Sequence, residues 1–389
     1  MRVAVVGGSL GGLTAACLLA DDGHDVTVYE RSTTPLQERG AGIGLLPMTA
    51  RYLVERAGVA IDDIAVPTEW IRTLRADGTV GHESRHHYVF SSWNTVYREM
   101  LARFDPSRYL LGHEMVSLDP DAPLARFANG TEVRPDLLVC ADGIASTARR
   151  SLQPGVQPAY SGYVAWRGVV PEGRLCDETR VAVADAITYY VYANSHILVY
   201  PIPGHDGSVA PGRRMVNLVW YRNYLPGDDL DDLLTDVDGT LRDTSVPPGA
   251  LRPEHVAEAR AVATARLPAP LAEVVGAVEQ LFVQVVFDLA VERMVVGRTC
   301  LMGDAAFGVR PHAAAGTAKA AADAWALGDA LAGGSNDLPQ ALARWEHQQL
   351  VLGRSLLART RDIGRRSQVD NCWVPGDPDL IFGLHAPGD

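Results

Sequence analysis

VAVVGGSLGGLTAACLLADDGHDVTVYER, residues 3–31, decides the fold. Val3 to Gly7 is apolar and β-type, a glycine cluster follows, and Leu13 to Ala20 is a good helix former. A second β-type run, Asp25 to Tyr29, ends in Glu30. Strand, tight turn, helix and acid-terminated strand together make a dinucleotide-binding unit. Its first glycine makes the turn, its second lets the backbone approach a pyrophosphate, and its third lets helix and strand pack. Gly7 and Gly12 fill the first and third places; the second is Ser9, flanked by Gly8 and Gly11, with Leu10 opening the helix. The serine weakens the match without excluding it. The helix N-terminus offers free amides and partial positive charge to phosphates. Glu30 is expected on a ribose; otherwise it is a solvated carboxylate at a strand end.

A distant segment, CLMGDAAFGVRPHAAAGTAKAAADAWALGDAL at 300–331, makes sense around the same ligand. Arg298 to Leu301 reads as a buried strand, and Gly303-Asp304 sits at its carboxyl end, where open α/β sheets bind ligands. Asp304 is placed to accept hydrogen bonds from sugar-alcohol hydroxyls. Gly316-Thr317 opens an alanine-rich helix whose N-terminal amides suit the electron-rich end of a reduced flavin. The two segments together point to FAD.

GGSLGG, YVAWRG, YPIPG and GDAAF with RPHAAAGTAKAAADA, joined by ADGIASTAR at 141–149, resemble the single-component FAD monooxygenases typified by para-hydroxybenzoate hydroxylase. The similarity is greatest to the subgroup containing 2,6-dihydroxypyridine 3-hydroxylase, and it covers nearly the whole chain. It implies an α/β fold: a Rossmann-type, glutathione reductase-like FAD-binding domain interleaved with a β-sheet substrate domain and a C-terminal helical segment. The expected cofactor unit is 1–75, 98–160 and 285–335; the substrate unit is 76–97 and 161–284; the C-terminal helix and tail are 336–389. By the same resemblance, Glu30 binds the adenosine ribose, Arg98 the pyrophosphate or ribityl region and Asp304 the ribityl hydroxyls, while Pro311 to Thr317 border the isoalloxazine. Arg31, the turn Gly40-Ala41-Gly42-Ile43 and Met115 lie along the cofactor, and Asp142 belongs to an element associated with FAD and the reduced nicotinamide.

The implied reaction is reduction of non-covalent FAD by NADH or NADPH, capture of O₂ as a C4a-hydroperoxide and oxygen transfer to a small electron-rich aromatic. A base near the ring would help a phenol-like group lose its proton. His312, beside Pro311, is the first candidate, with a structural histidine as the equal alternative; Arg310 is a substrate anchor or an exposed charge. On the opposing sheet, His196, Tyr190, Tyr192 and Tyr200 alternate and line a pocket or fill a sheet face. Asp288 touches substrate or caps a turn. Epoxidation, Baeyer–Villiger insertion or tailoring of a larger metabolite use the same unit. An FAD dehydrogenase and a non-catalytic FAD-binding protein are the other classes, the last disfavoured by the 303–317 segment.

The 389 residues suffice for two domains or one interleaved unit. A formal charge of −12 argues against nucleic-acid or anionic-membrane partners. The early first strand and the lack of a membrane-length apolar run make cytoplasm the default; assembly as a homodimer stays open. Cys17, Cys140, Cys176, Cys300 and Cys372 are scattered without CxxC spacing, so neither a disulfide frame nor a metal site is expected, and His86-His87 reads as a surface pair. The six aspartates within 227–239 read as an acidic amphipathic helix. The chain's lone lysine is Lys319. The Pro- and Gly-rich tail from Asn371 is expected to pack as an extended cover or to be mobile.

Overall fold

The computed structural model describes residues 1–36, 41–119, 121–332 and 337–384. Gly40 of the predicted cofactor turn and the last five residues of the tail lie outside them. A six-stranded sheet runs in the order Val295–Val296, Thr299–Leu301, Leu137–Cys140, Arg2–Val6, Asp25–Tyr29, Tyr109–Leu110. Its neighbours are parallel except for the first pair. Leu137, Leu138, Val139 and Cys140 are fully buried, as strands covered on both faces must be. The helices Leu10–Asp21 and Gly316–Ala332 pack on one another over this sheet, so both predicted cofactor segments meet at the carboxyl ends of its strands.

The larger sheet has ten strands, in the order Ser245–Val246, Phe282–Ala290, Ala159–Pro171, Met215–Asn223, Ser195–Ile202, Ala186–Tyr192, Val66–Leu74, Val80–Ser92, Gly42–Gly44, with Phe307–Gly308 on the end of Phe282–Ala290. The alternating runs around Tyr160, Ala186 and Arg214 are its central strands, the second run being split by a turn at Asn194, which has φ +59°. Sheet membership departs from the sequence partition. Gly42–Gly44 and Val66–Leu74, grouped by sequence with the cofactor unit, pair with Val80–Ser92, and Val66–Leu74 also pairs with Ala186–Tyr192. Strand patterning reveals a strand but not a partner more than a hundred residues away.

The acidic helix is short, Asp228–Leu234, with Leu230, Leu233 and Leu234 buried. It ends because Asp236 accepts from the Asp238 and Thr240 amides and so closes a turn. The long helix Leu338–Gln368 runs back to the large sheet, and the tail returns across it as an ordered strap through residue 384. Cys17, Cys140 and Cys300 are buried core thiols, and burial pushes Cys17 up to about 12; Cys176 and Cys372 are exposed. Among the described residues no three His, Cys, Asp or Glu side chains group as metal ligands. No helix there is long and apolar enough to cross a membrane.

Candidate active site

The two sheets enclose a cavity of about 500 Å³. One end is lined by Ser9, Leu10 and Gly11 of the first turn, then by Gly303, Asp304, Gly316 and Thr317. Close backbone packing shapes this end. Gly7 has φ +101°, and a Cβ on Gly12 would stand 1.9 Å from the Gly7 carbonyl oxygen, which no side chain tolerates. On Gly8 it would meet the Tyr109 hydroxyl at 2.2 Å. Ser9 starts the helix without a side-chain capping bond and faces the cavity. Glu30 is buried behind the turn, and its carboxylate accepts the Gly8 and Ser32 amides at 2.8 and 2.9 Å. It braces the turn and keeps lone pairs for a further donor.

Asp304 opens its carboxylate to the cavity, where the surrounding protein pushes its carboxyl above the usual range while Lys319 pulls it back. Beneath it lies a feature that sequence reasoning passed over. Lys319 Nζ is 2.6 Å from Asp323 Oδ2, both fully buried, and the same oxygen accepts the Gly303 amide at 2.8 Å. The pair fixes the turn that presents Asp304.

Asp142 stands behind the wall formed by Ala141, Gly143 and Ile144. It accepts Ser146 Oγ at 2.6 Å and the Ala148 amide at 3.1 Å, while Ser146 caps the helix Thr147–Leu152. Arg149, buried, reaches the carbonyls of Ile144 and Ala305 and ties this element to the Gly303 loop. Arg31 is exposed, Arg98 half-buried on the helix Trp93–Leu101 and Met115 buried on Met115–Asp119; none of the three lines the cavity.

The other end is aromatic. Gly42, Ile43, Pro311 and His312 face Arg167, Tyr189, His196, Tyr200 and Tyr221, with Trp373 and Phe382 of the tail closing over them. Strand register separates the tyrosines. Tyr189 pairs with Leu198 and faces the cavity with it and with His196, whereas Tyr190 pairs with Ile197 and turns with Tyr192 to the opposite face. Burial holds the His196 imidazole down to about 3 and raises Tyr200 to about 12, so both are neutral near pH 7.

His312 is buried, and Tyr163 Oη lies 2.6 Å from its Nε2. Its Nδ1 has no partner among the described residues. Burial, then His196 and Arg310, hold this imidazole well below its ordinary pKa. Arg310 is not an exposed charge. It forks onto Asp288 at 2.7 and 2.8 Å and reaches Tyr163 Oη at 3.3 Å, and Arg361 joins Asp288 at 3.0 Å. Asp288 is thereby an ion-pair partner rather than a turn cap. Tyr163, Arg167, Tyr189, Tyr221, Trp373 and Phe382 were not singled out by sequence. Tyr163 and Arg167 lie in the YVAWRG run, but its strand pattern does not say which face meets a ligand.

FAD fits this shape. The glycine turn admits a backbone-hugging phosphate chain, Asp304 faces the middle, and the N-terminus of the helix Gly316–Ala332 meets the aromatic end. Arg167 Nε and His312 Nδ1 are buried polar atoms still wanting partners among the described residues.

Comparison with known proteins agrees. A profile described as an NAD(P)-binding Rossmann-like domain matches residues 5–35, and one described as FAD binding domain-like matches 160–288. The chain is 39% identical over 390 residues to 2,6-dihydroxypyridine 3-monooxygenase of Paenarthrobacter nicotinovorans, covering 98% of this chain and 96% of that protein. It belongs to the FAD-dependent aromatic monooxygenases. A 3-amino-4-hydroxybenzoate 2-monooxygenase of Streptomyces platensis is 31% identical, over 93% of this chain and 87% of that one. The solved structure of 2,6-dihydroxypyridine-3-hydroxylase from Arthrobacter nicotinovorans superposes with a TM-score of 0.93 at 38% identity, over 98% of this chain and 96% of that chain. As a monooxygenase of this family the protein uses FAD, NAD(P)H and O₂ to hydroxylate an aromatic ring.

Proposed function

We propose that the substrate is a single planar ring carrying two hydroxyl groups, with a dihydroxypyridine as the first candidate. The observation that carries this is His312 Nδ1, buried and without a partner among the described residues at the aromatic end of the cavity. Bound FAD supplies the redox and oxygen-transfer chemistry. The side chains hold the ring and set its charge. Arg310 only donates, so it occupies a lone pair of Tyr163 Oη and leaves the Tyr163 hydroxyl to donate to His312 Nε2. That assignment places the imidazole proton on Nδ1, the ring atom without a partner among the described residues. His312 then donates to a ring oxygen and favours its ionised, electron-rich form. It acts by hydrogen bonding more than as a proton sink, because its pKa is held low. Arg167, 2.9 Å from the Gly42 carbonyl, adds positive charge from the facing wall.

In this reading Glu30, Arg31, Arg98 and Met115 serve the adenosine and phosphate limb, and Asp142 holds the flavin wall. Gly303, Asp304, Gly316 and Thr317 hold the flavin and its ribityl chain. The protein works in the cytoplasm, and a homodimer is its proposed assembly. The test is rapid mixing of the FAD-loaded protein with NADH or NADPH and a panel of dihydroxypyridines and dihydroxybenzoates under isotope-labelled oxygen. One ring should accelerate reduction and appear as labelled hydroxylated product. Release of hydrogen peroxide alone with every ring would refute the substrate reading.

A further inference from the structure

The helix Leu338–Gln368 leads into residues 371–384, a strap that contributes Trp373 and Phe382 to the lining of the cavity. The strap is tied on both sides of Trp373. Before it, Asn371 and Asn194 exchange two hydrogen bonds: the Asn194 amide donates to Asn371 Oδ1 at 2.7 Å, and Asn371 Nδ2 donates to Asn194 Oδ1 at 3.0 Å. Both residues hold positive φ, +54° and +59°, a conformation that costs free energy and persists only where the surroundings fix it. After it, Arg366 forks onto Asp377 and Asp379 at 2.7 and 2.8 Å. Arg359 reaches the carbonyls of Ile381 and Gly383. The Phe382 amide donates to Tyr88 Oη at 2.8 Å. The Gly383 amide donates to the Ala313 carbonyl at 3.1 Å, which couples the strap directly to the loop that carries His312.

Between these ties Trp373 lines the cavity. Its indole stacks on His196 with ring centroids 5.0 Å apart and planes at 29°, and lies 5.9 Å from Tyr189. His196 is in turn 5.3 Å from His312. The three rings His312, His196 and Trp373 therefore form a row that starts at the proposed substrate contact and ends at the strap. The aromatic end of the cavity must hold both the flavin rings and the substrate, so the wall that ends this row bounds the space left for the substrate.

We propose that Trp373 is the specificity-determining residue of this enzyme: it closes the outer end of the substrate space and restricts substrates to a single ring. The inference rests on the substrate reading given above. Removing the indole opens space for a second fused ring, while the strap's ties elsewhere keep the cavity assembled.

The test compares the full-length FAD-loaded protein with its Trp373→Ala and Trp373→Phe variants. The probes are unreactive one-ring and two-ring analogues, a halogenated pyridine diol and a halogenated quinoline diol. Binding is read from perturbation of the flavin absorbance, and turnover from kcat and KM for dihydroxypyridine and dihydroxyquinoline. In W373A, two-ring affinity relative to one-ring affinity should rise by about tenfold or more, the scale on which pocket size discriminates. FAD affinity should stay at the parent value. An unchanged two-ring to one-ring ratio in W373A overturns the proposal. Should W373A fail to fold, W373F decides: a smaller shift in the same direction supports the inference, and no shift overturns it. If the parent turns over neither ring, the substrate reading fails, whereas the binding ratio still judges Trp373 on its own.

Discussion

Replacing Lys319 with Met keeps the length of the side chain and removes the positive charge buried beneath the Gly303-Asp304 turn. The partner left behind is Asp323, whose Oδ2 retains only the Gly303 amide and whose Oδ1 has no partner among the described residues. Breaking a buried pair by removing one member costs about 3–5 kcal/mol. The cost has a ceiling, because Asp323 can take up a proton instead. Neutralising a carboxylate of pKa about 3.9 at pH 7 costs about 4 kcal/mol, from roughly three units at about 1.4 kcal/mol each. A loss of about 3–4 kcal/mol at pH 7 is therefore expected.

The sign of the pH dependence follows from the same residue. Burial already pushes the Asp323 carboxyl up, with Lys319 opposing it, so removing Lys319 raises the folded pKa further. A group with a raised folded pKa contributes fully below its unfolded value and loses that contribution as pH rises through the folded one. The deficit of K319M against the parent should therefore shrink to about 1 kcal/mol at pH 4.5. Urea unfolding followed by tryptophan fluorescence, at saturating FAD and at both pH values, measures it. A deficit below about 1 kcal/mol at pH 7, or one equal at the two pH values, would refute the reasoning.

Tyr163→Phe leaves His312 Nε2 without its hydroxyl partner; hydroxylation should fall by about 100-fold, with flavin reduction by NAD(P)H close to the parent rate. A parent-like product yield in single-turnover measurements would count against the tautomer assignment. Gly12→Ala places a methyl 1.9 Å from the Gly7 carbonyl oxygen, so the turn must distort and FAD should be lost on desalting; retention of the flavin spectrum at parent stoichiometry contradicts this. His196 and His312 both have depressed folded pKa values, so each contributes stability that is present above about pH 6.5 and is lost as pH falls. His196 should cost about 2 kcal/mol between pH 6.5 and pH 5.0, with His312 acting in the same direction, and urea midpoints should show His196→Gln to be less acid-sensitive than the parent.

Local chemistry made much of this protein legible in its sequence. The turn at Gly7 to Gly12 can be read because only glycine permits the contacts it makes, and the Asp25–Tyr29 strand before Glu30 because a buried parallel strand is a short, largely apolar run. The Gly303-Asp304 loop and the helix after it were legible for the same reason, whereas the C-terminal helix was expected from the family resemblance. Pairing between distant strands was not. The placement of Gly42–Gly44 and Val66–Leu74 in the large sheet depends on register against Val80–Ser92, and the one-residue alternation that turns Tyr189 inward and Tyr190 outward depends on the turn at Asn194. Three decisions belonged to tertiary structure alone: the Tyr163–His312 bond across 149 residues, the burial of Lys319 against Asp323, and the return of Trp373 over the cavity. What each segment can form by itself follows from its own residues, through backbone sterics and apolar periodicity. Which side chains meet is settled by packing, because one cavity must satisfy the buried polar atoms that several distant segments bring to it.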